Sequence, residues 1–228
     1  MERVRPFRFG VITENARSPG ALLDTARKAE DSGFATFLLR DHFIAEPIGH
    51  QLAPIAVLAT VAAATTTSRM GSLVFANDYR HPVILAKEVA TLDVLSNGRV
   101  ELGLGAGFSR AEYERAGMHF DQPGVRVERL GEALRVLKGL FAADILTFAG
   151  KHYSLAGFDS FPKPVQQPHP PLHVGAAGKR MLSIAAREAN IIGFSNDLDG
   201  RWRAYKRPRH QARLDRCPES RTGPGGRW

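Results

Sequence analysis

Residues 70–107 constrain the fold of this chain more than any other stretch. Met70-Gly-Ser-Leu-Val-Phe-Ala-Asn77 reads as an apolar strand, Arg80-His81-Pro82 opens a helix that runs to Ser96, and Arg99-Val-Glu-Leu-Gly-Leu-Gly-Ala-Gly107 reads as a second strand. Proline suits a first helical position, because its missing N–H has no partner there and its φ is already helical. Its ring also pushes His81 toward an extended backbone. Asn97-Gly98 supplies the left-handed residue that ends the helix. A strand-helix-strand unit within one sheet means parallel strands and a right-handed crossover.

The second strand has an unusual inner face. Leu102 and Leu104 alternate with Gly103 and Gly105, and Gly107 follows. Bare backbone of this kind admits a flat ligand, and it equally accompanies tight strand packing or a bulge. Ser109 and Glu112 have capping-box spacing for the next helix, so Glu112 reads as a cap rather than a catalytic acid.

Upstream, Phe7 to Ile12 is a short apolar strand interrupted by Arg8, and Ser18-Pro19 opens a helix that Gly33 ends. Phe34 to Leu39 has the near-continuous apolar pattern of a strand buried on both faces, and it runs into Arg40-Asp41-His42. Parallel barrels build their chemistry where strands deliver their C-terminal ends. Asp41 beside His42 at such an end therefore points to function, since a carboxylate can fix an imidazole's tautomer and basicity. Asn77-Asp78 occupies the same kind of position.

Downstream, Val127, Leu130, Leu134, Leu137, Leu140 and Phe141 form the stripe of a long amphipathic helix, and Ile145–Phe148 with His152–Leu155 read as a small hairpin. Phe161 to Pro171 is an extended, proline-rich connector. Leu172-His-Val174 is the next strand, followed by Gly175-Ala-Ala-Gly178-Lys-Arg180 before a helix over Met181–Ala189. Glycines and two cations at a helix start make a phosphate cradle, and an ordinary strand-helix loop has the same pattern. Asn190 to Phe194 is a sixth strand, ending in Ser195-Asn196-Asp197.

Residues 1–200 carry 22 Lys and Arg against 21 Asp and Glu, whereas residues 201–228 carry 9 against 2, so the net charge of +8 belongs almost entirely to the tail. The basic balance thus says nothing of what the body binds. The tail lacks apolar periodicity and reads as disordered. Nucleic-acid binding is one account of it; a foreign segment, read from a shifted frame or a truncated coding region, is the one the abrupt loss of pattern favours. A single cysteine, Cys217, excludes an intramolecular disulfide and a cysteine-rich metal site, and no metal is expected. With no signal-peptide pattern and no apolar run of membrane-spanning length, the expected compartment is a reducing cytoplasm.

Arg40-Asp41-His42, Val74 to Pro82, Leu92 to Arg99 with Leu102 to Gly107, Glu112-Tyr113 with Gly117, and Gly175 to Gly178 together resemble the luciferase-like monooxygenase superfamily, in its branch dependent on the deazaflavin coenzyme F-420. The resemblance covers residues 7–197. It implies an α/β TIM-type barrel of eight strands, here incomplete: a domain over 1–199 with about six strands, the last two missing, and an aberrant tail over 200–228. It also implies a coenzyme at the C-terminal mouth, over a bulge near Ala76-Asn77 that in the family often holds a non-proline cis peptide. By the same resemblance Asp41 and His42 lie by the reactive face, with His42 exchanging a proton with substrate. Asn77 hydrogen-bonds the ring, Gly105 and Gly107 leave room beside it, and Gly175, Ala176, Ala177, Ser195 and Asn196 contact the phosphate.

The implied activity is hydride transfer between coenzyme F-420 and a small organic substrate. FMN is the alternative cofactor, in a two-component monooxygenase, and a truncated non-catalytic fragment is the alternative status of the chain. The family's sugar-phosphate dehydrogenases carry a Glu just after the Gly-x-Gly of the central strand. Phe108-Ser109 stand here instead, which argues against that chemistry. The expected partners are a small-molecule substrate and, at most, a second copy of the chain in a homodimer, with no nucleic acid and no membrane.

Overall fold

The computed structural model describes residues 7–13, 18–45 and 49–193. Ser195, Asn196 and the tail over 200–228 lie outside the described residues.

Strand β1 (Gly10–Thr13) leads to α1 (Pro19–Asp31), whose N-cap Ser18 accepts a hydrogen bond from the Ala21 N–H at 3.2 Å. β2 (Thr36–Leu39), α2 (Pro54–Ala64) and β3 (Arg69–Ser72) follow, then the two-residue β4 (Phe75–Ala76) and a 3-10 turn over Asn77–Tyr79. α3 (Pro82–Leu95) starts at the expected proline and stops at two residues of positive φ, Asn97 at 54° and Gly98 at 75°. β5 (Val100–Gly105), the short α4 (Arg110–Arg115) and the long α5 (Pro123–Ala142) complete the central part. The hairpin β6 (Ile145–Ala149) and β7 (Ser154–Asp159) precedes β8 (Leu172–Gly175), α6 (Lys179–Glu188) and β9 (Ile191–Gly193).

The parallel path β1-β2-β3-β5-β8-β9 forms an open, partial barrel, with β4 also paired to β5. Helices pack in sequence order, α1 on α2, α2 on α3, α3 on α5 and α5 on α6, as the outer layer of a barrel does. Phe37, Leu39, Met70, Val100, Leu102, Leu104, Leu172 and Val174 lie in the core. α5 contributes Leu130, Leu134, Leu137, Leu140 and Phe141, each at most 2% exposed. Burial of that completeness stabilises by about 1.5–3 kcal/mol per side chain.

A few polar residues lie within the strands. Glu101, 7% exposed, accepts from Arg8 at 2.8 Å and from Arg69 at 2.7 Å, so the arginine that interrupts the first apolar run is paired across to β5.

Two expectations need correction. The strand expected over Met70–Asn77 is broken: β3 pairs with β2 and β5, the Leu73–Val74 peptide is cis, and β4 then pairs with β5 alone. The non-proline cis peptide thus joins the third and second residues before Ala76. The second hairpin arm begins at Ser154 rather than His152, because the backbone N–H groups of Lys151, His152 and Tyr153 bond Glu132 at 2.9, 2.8 and 3.2 Å. Among the described residues, no helix is long and apolar enough to cross a membrane.

Candidate active site at the strand ends

The C-terminal ends of β2, β4 and β5 deliver Asp41, His42, Asn77, Asp78 and the Gly105–Phe108 segment to one end of the sheet, as parallel strands must. Asp41 and His42 are neighbours in sequence but do not serve each other. The Asp41 carboxylate, 4% exposed, pairs with both Arg80 amino groups at 2.8 and 3.2 Å and accepts from the Ala76 N–H at 3.1 Å. It ties the β2 end to the β4 end.

The carboxylate on His42 is Glu112, from α4. Its Oε2 lies 2.9 Å from His42 Nδ1, while Oε1 accepts from the Phe43 N–H at 2.7 Å. The Tyr79 hydroxyl donates to Oε2 at 3.3 Å. Glu112 is 2% exposed and Ser109 makes no side-chain cap, so the capping-box reading is overturned. A spacing of three residues from Ser109 cannot distinguish a cap from a side chain turned toward another strand.

Burial works to raise the Glu112 pKa, but the bonds from His42 and Phe43 together outweigh it and hold the carboxyl below its usual value. An ionised carboxylate only accepts, so the hydrogen sits on His42 Nδ1 and the neutral ring keeps a lone pair on Nε2. The same constellation pushes the Tyr79 hydroxyl up, through burial first and the Glu112 charge second. Tyr79 is therefore a donor here.

A second network backs the first. Tyr113, fully buried, donates to Asp78 at 3.1 Å, and Arg129 bridges Asp78 and Asp121 at 2.8 Å each. Burial, then the Asp78 charge, raise the Tyr113 pKa. Asn77, 3% exposed, donates its amide to the Tyr153 hydroxyl at 3.2 Å. Tyr79 and Tyr153 were not singled out in the sequence, where no local spacing ties either to Glu112 or Asn77.

The glycines have specific neighbours. A Cβ at Gly105 would lie 2.6 Å from Val74 Cγ2, and Val74 also borders Gly103 and Gly175. At Gly107, φ is +72° and a Cβ would collide with the Tyr113 hydroxyl. Arg126 donates to the carbonyls of Ala106, at 2.9 Å, and Gly107.

At the third candidate cluster, Gly175 stands in register with Gly193 and the Ala176 N–H donates to the Gly193 carbonyl at 2.8 Å, so that amide is committed to the sheet. Ala177 is exposed, and Gly178, with φ +81°, opens α6 without a side-chain cap. The first N–H groups of α6 have no acceptor within the helix, as at any helix start. Among the described residues no group of His, Cys, Asp and Glu could hold a metal ion.

A family model described as luciferase-like monooxygenase matches residues 4–217. An F420-dependent glucose-6-phosphate dehydrogenase of Microbacterium testaceum is 32% identical over 190 residues, covering 81% of this chain and 55% of that protein. The solved coenzyme F420 dependent tetrahydromethanopterin reductase from Methanopyrus kandleri superposes with TM-score 0.73 at 25% identity, over 82% of this chain and 55% of that one. Monooxygenase RslO1 from Streptomyces bottropensis gives TM-score 0.68 at 26% identity, over 75% and 54%. The chain therefore spans about half the length of the relatives it matches.

Proposed function

Because the chain belongs to the luciferase-like monooxygenase family, we propose that it acts as an oxidoreductase that holds a deazaflavin coenzyme of the F-420 type at the strand ends, with His42 exchanging a proton with a small organic substrate. The observation that carries this reading is the buried Glu112 carboxylate 2.9 Å from His42 Nδ1. It fixes the tautomer in which Nε2 can accept a proton, the arrangement a general base requires. Relatives named for coenzyme F420 support the choice of cofactor.

The described residues fit that group. The uncapped start of α6 at Gly178 suits a phosphate, and Asn77 and Ala76 are held at the mouth by Tyr153 and Asp41. When bound, the coenzyme supplies hydride acceptance or donation at its ring. The chain's own part is to handle the substrate proton. Nε2 takes it from a hydroxyl on oxidation, Glu112 stabilises the imidazolium so formed, and the reverse transfer serves reduction. Asp41 is a positioning residue, acting through Arg80 and the Ala76 N–H.

The test is a fluorescence titration of the chain with oxidised F-420, with FMN in parallel, on the wild type, His42→Ala and Asn77→Ala. Saturable, selective deazaflavin binding that weakens in both variants is expected. Unchanged affinity in both would overturn the site assignment, and preference for FMN would transfer the reading to a flavin monooxygenase.

A further inference from the structure

We propose that Phe43 and Phe108 form a binding wall beside His42 for the apolar ring of a neutral substrate, so that the substrate class is an uncharged ring-bearing alcohol or its carbonyl partner. The proposal takes from the preceding reading only the role of His42 Nε2.

Phe43 is 54% exposed and Phe108 57%, so both present apolar area to solvent. Phe43 stacks on Tyr79 with centroids 4.2 Å apart and planes at 29°, and its N–H is bonded to Glu112. Phe108 meets the His42 ring edge to face at 5.6 Å. An exposed ring already stacked on Tyr79 and a second in edge contact with the His42 ring offer aromatic area to a ligand at His42 at small entropic cost.

The charges at this end oppose an anionic substrate group. The Glu112 carboxylate stands one hydrogen bond from the ring, while three of the neighbouring arginines are committed, Arg80 to Asp41, Arg129 to Asp78 and Asp121, and Arg126 to backbone carbonyls, and a fourth, Arg110, is exposed and faces Glu114 at 3.5 Å. A phosphate placed at Nε2 would meet a negative field and two phenyl faces.

The experiment is ligand-observed NMR on the full chain without coenzyme, using 1-phenylethanol and glucose 6-phosphate as probes, together with the ¹⁵N signals of His42 assigned through His42→Ala. The expectation is that 1-phenylethanol shifts the His42 signals and binds at least roughly tenfold more tightly than the sugar phosphate, and that Phe108→Ala weakens it roughly tenfold while Phe108→Leu retains most of the affinity. Tighter sugar-phosphate binding, silent His42 signals or an unchanged Phe108→Ala affinity each overturn the proposal. Because Phe108 is largely exposed, a thermal melt of each variant checks that the fold persists. The F-420 titration separates the two readings. Coenzyme binding with silent His42 signals sinks the wall alone, and alcohol binding without coenzyme binding sinks the cofactor assignment alone.

Discussion

Replacing Glu112 by glutamine isolates what its charge does for His42. The carboxylate is 2% exposed and accepts from His42 Nδ1 at 2.9 Å, Phe43 N–H at 2.7 Å and Tyr79 Oη at 3.3 Å. Glutamine keeps the shape but offers one acceptor oxygen. If that oxygen keeps the Phe43 N–H, the amide NH₂ faces Nδ1, which must then present its lone pair, and the neutral ring carries its hydrogen on Nε2. Replacing charge-assisted bonds by neutral ones costs about 1–3 kcal/mol. If His42 is the proton acceptor proposed above, turnover should fall by roughly 10²–10⁴-fold. The folded pKa of Glu112 lies below its unfolded one, so its contribution to stability is full above the ordinary carboxylate value near 4.3 and is lost as pH falls through the lower folded value. Urea unfolding from pH 7 down to pH 3 should therefore show a shallower acid loss in Glu112→Gln. Long-range ¹H–¹⁵N spectra should show the His42 hydrogen move from Nδ1 to Nε2. An unchanged tautomer together with an unchanged pH slope would refute the reasoning.

Other substitutions probe the frame around that pair. Glu30 gathers the N–H groups of Thr66, Thr67 and Ser68, and although burial opposes it, these bonds bring its pKa down to about 2. Glu30→Gln should cost on the order of 1–2 kcal/mol at pH 7, discounted for its partly exposed position, and the difference from wild type should vanish as pH falls from the ordinary carboxylate range to about 2. Asp41→Ala leaves the partly buried Arg80 without its bidentate partner and orphans the Ala76 N–H. Chemical denaturation should register a loss of about 3–5 kcal/mol, as for other broken buried pairs. Gly107→Ala combines a positive φ with a collision at the Tyr113 hydroxyl. A loss of about 1–3 kcal/mol is expected, with the Tyr113 ring signals displaced in NMR, since strain of this kind is local.

Much of the frame was legible because its causes are local. Pro19, Pro54, Pro82 and Pro123 each stand first in a helix, and Asn97-Gly98 ends α3, so φ restriction alone set those boundaries. The six-strand parallel path followed from apolar runs spaced by such helices. What remained hidden is tertiary. The break between Ser72 and Phe75 separates two pieces of one apolar run, and composition does not mark where the ladder lapses. Likewise the carboxylate adjacent to His42 in sequence belongs to Arg80, and the one that serves the imidazole lies 70 residues away. A strand end turns consecutive side chains to different sides, so adjacency of Asp41 and His42 is poor evidence of contact.

The carboxylates share one structural task that ties stability to the site. Glu30, Asp41, Asp93, Glu112 and Glu132 each accept backbone N–H groups from a segment distant in sequence: Thr66–Ser68, Ala76, Gln166, Phe43 and Lys151–Tyr153. Connecting segments between parallel strands carry N–H groups that no ladder satisfies, and an ionised carboxylate has acceptor sites enough to satisfy several at once. Strand-to-strand bonds do not titrate, whereas Glu30, Glu112 and Glu132 do, each with its folded pKa lowered by these bonds against the opposing effect of burial. Acid should therefore free the connecting segments and the His42 ring before the sheet gives way. Falling pH followed by histidine ¹⁵N signals and far-ultraviolet circular dichroism in parallel should show the His42–Glu112 bond lost while strand signal persists. Coincident transitions would mean that these carboxylates are not what holds the mouth in place.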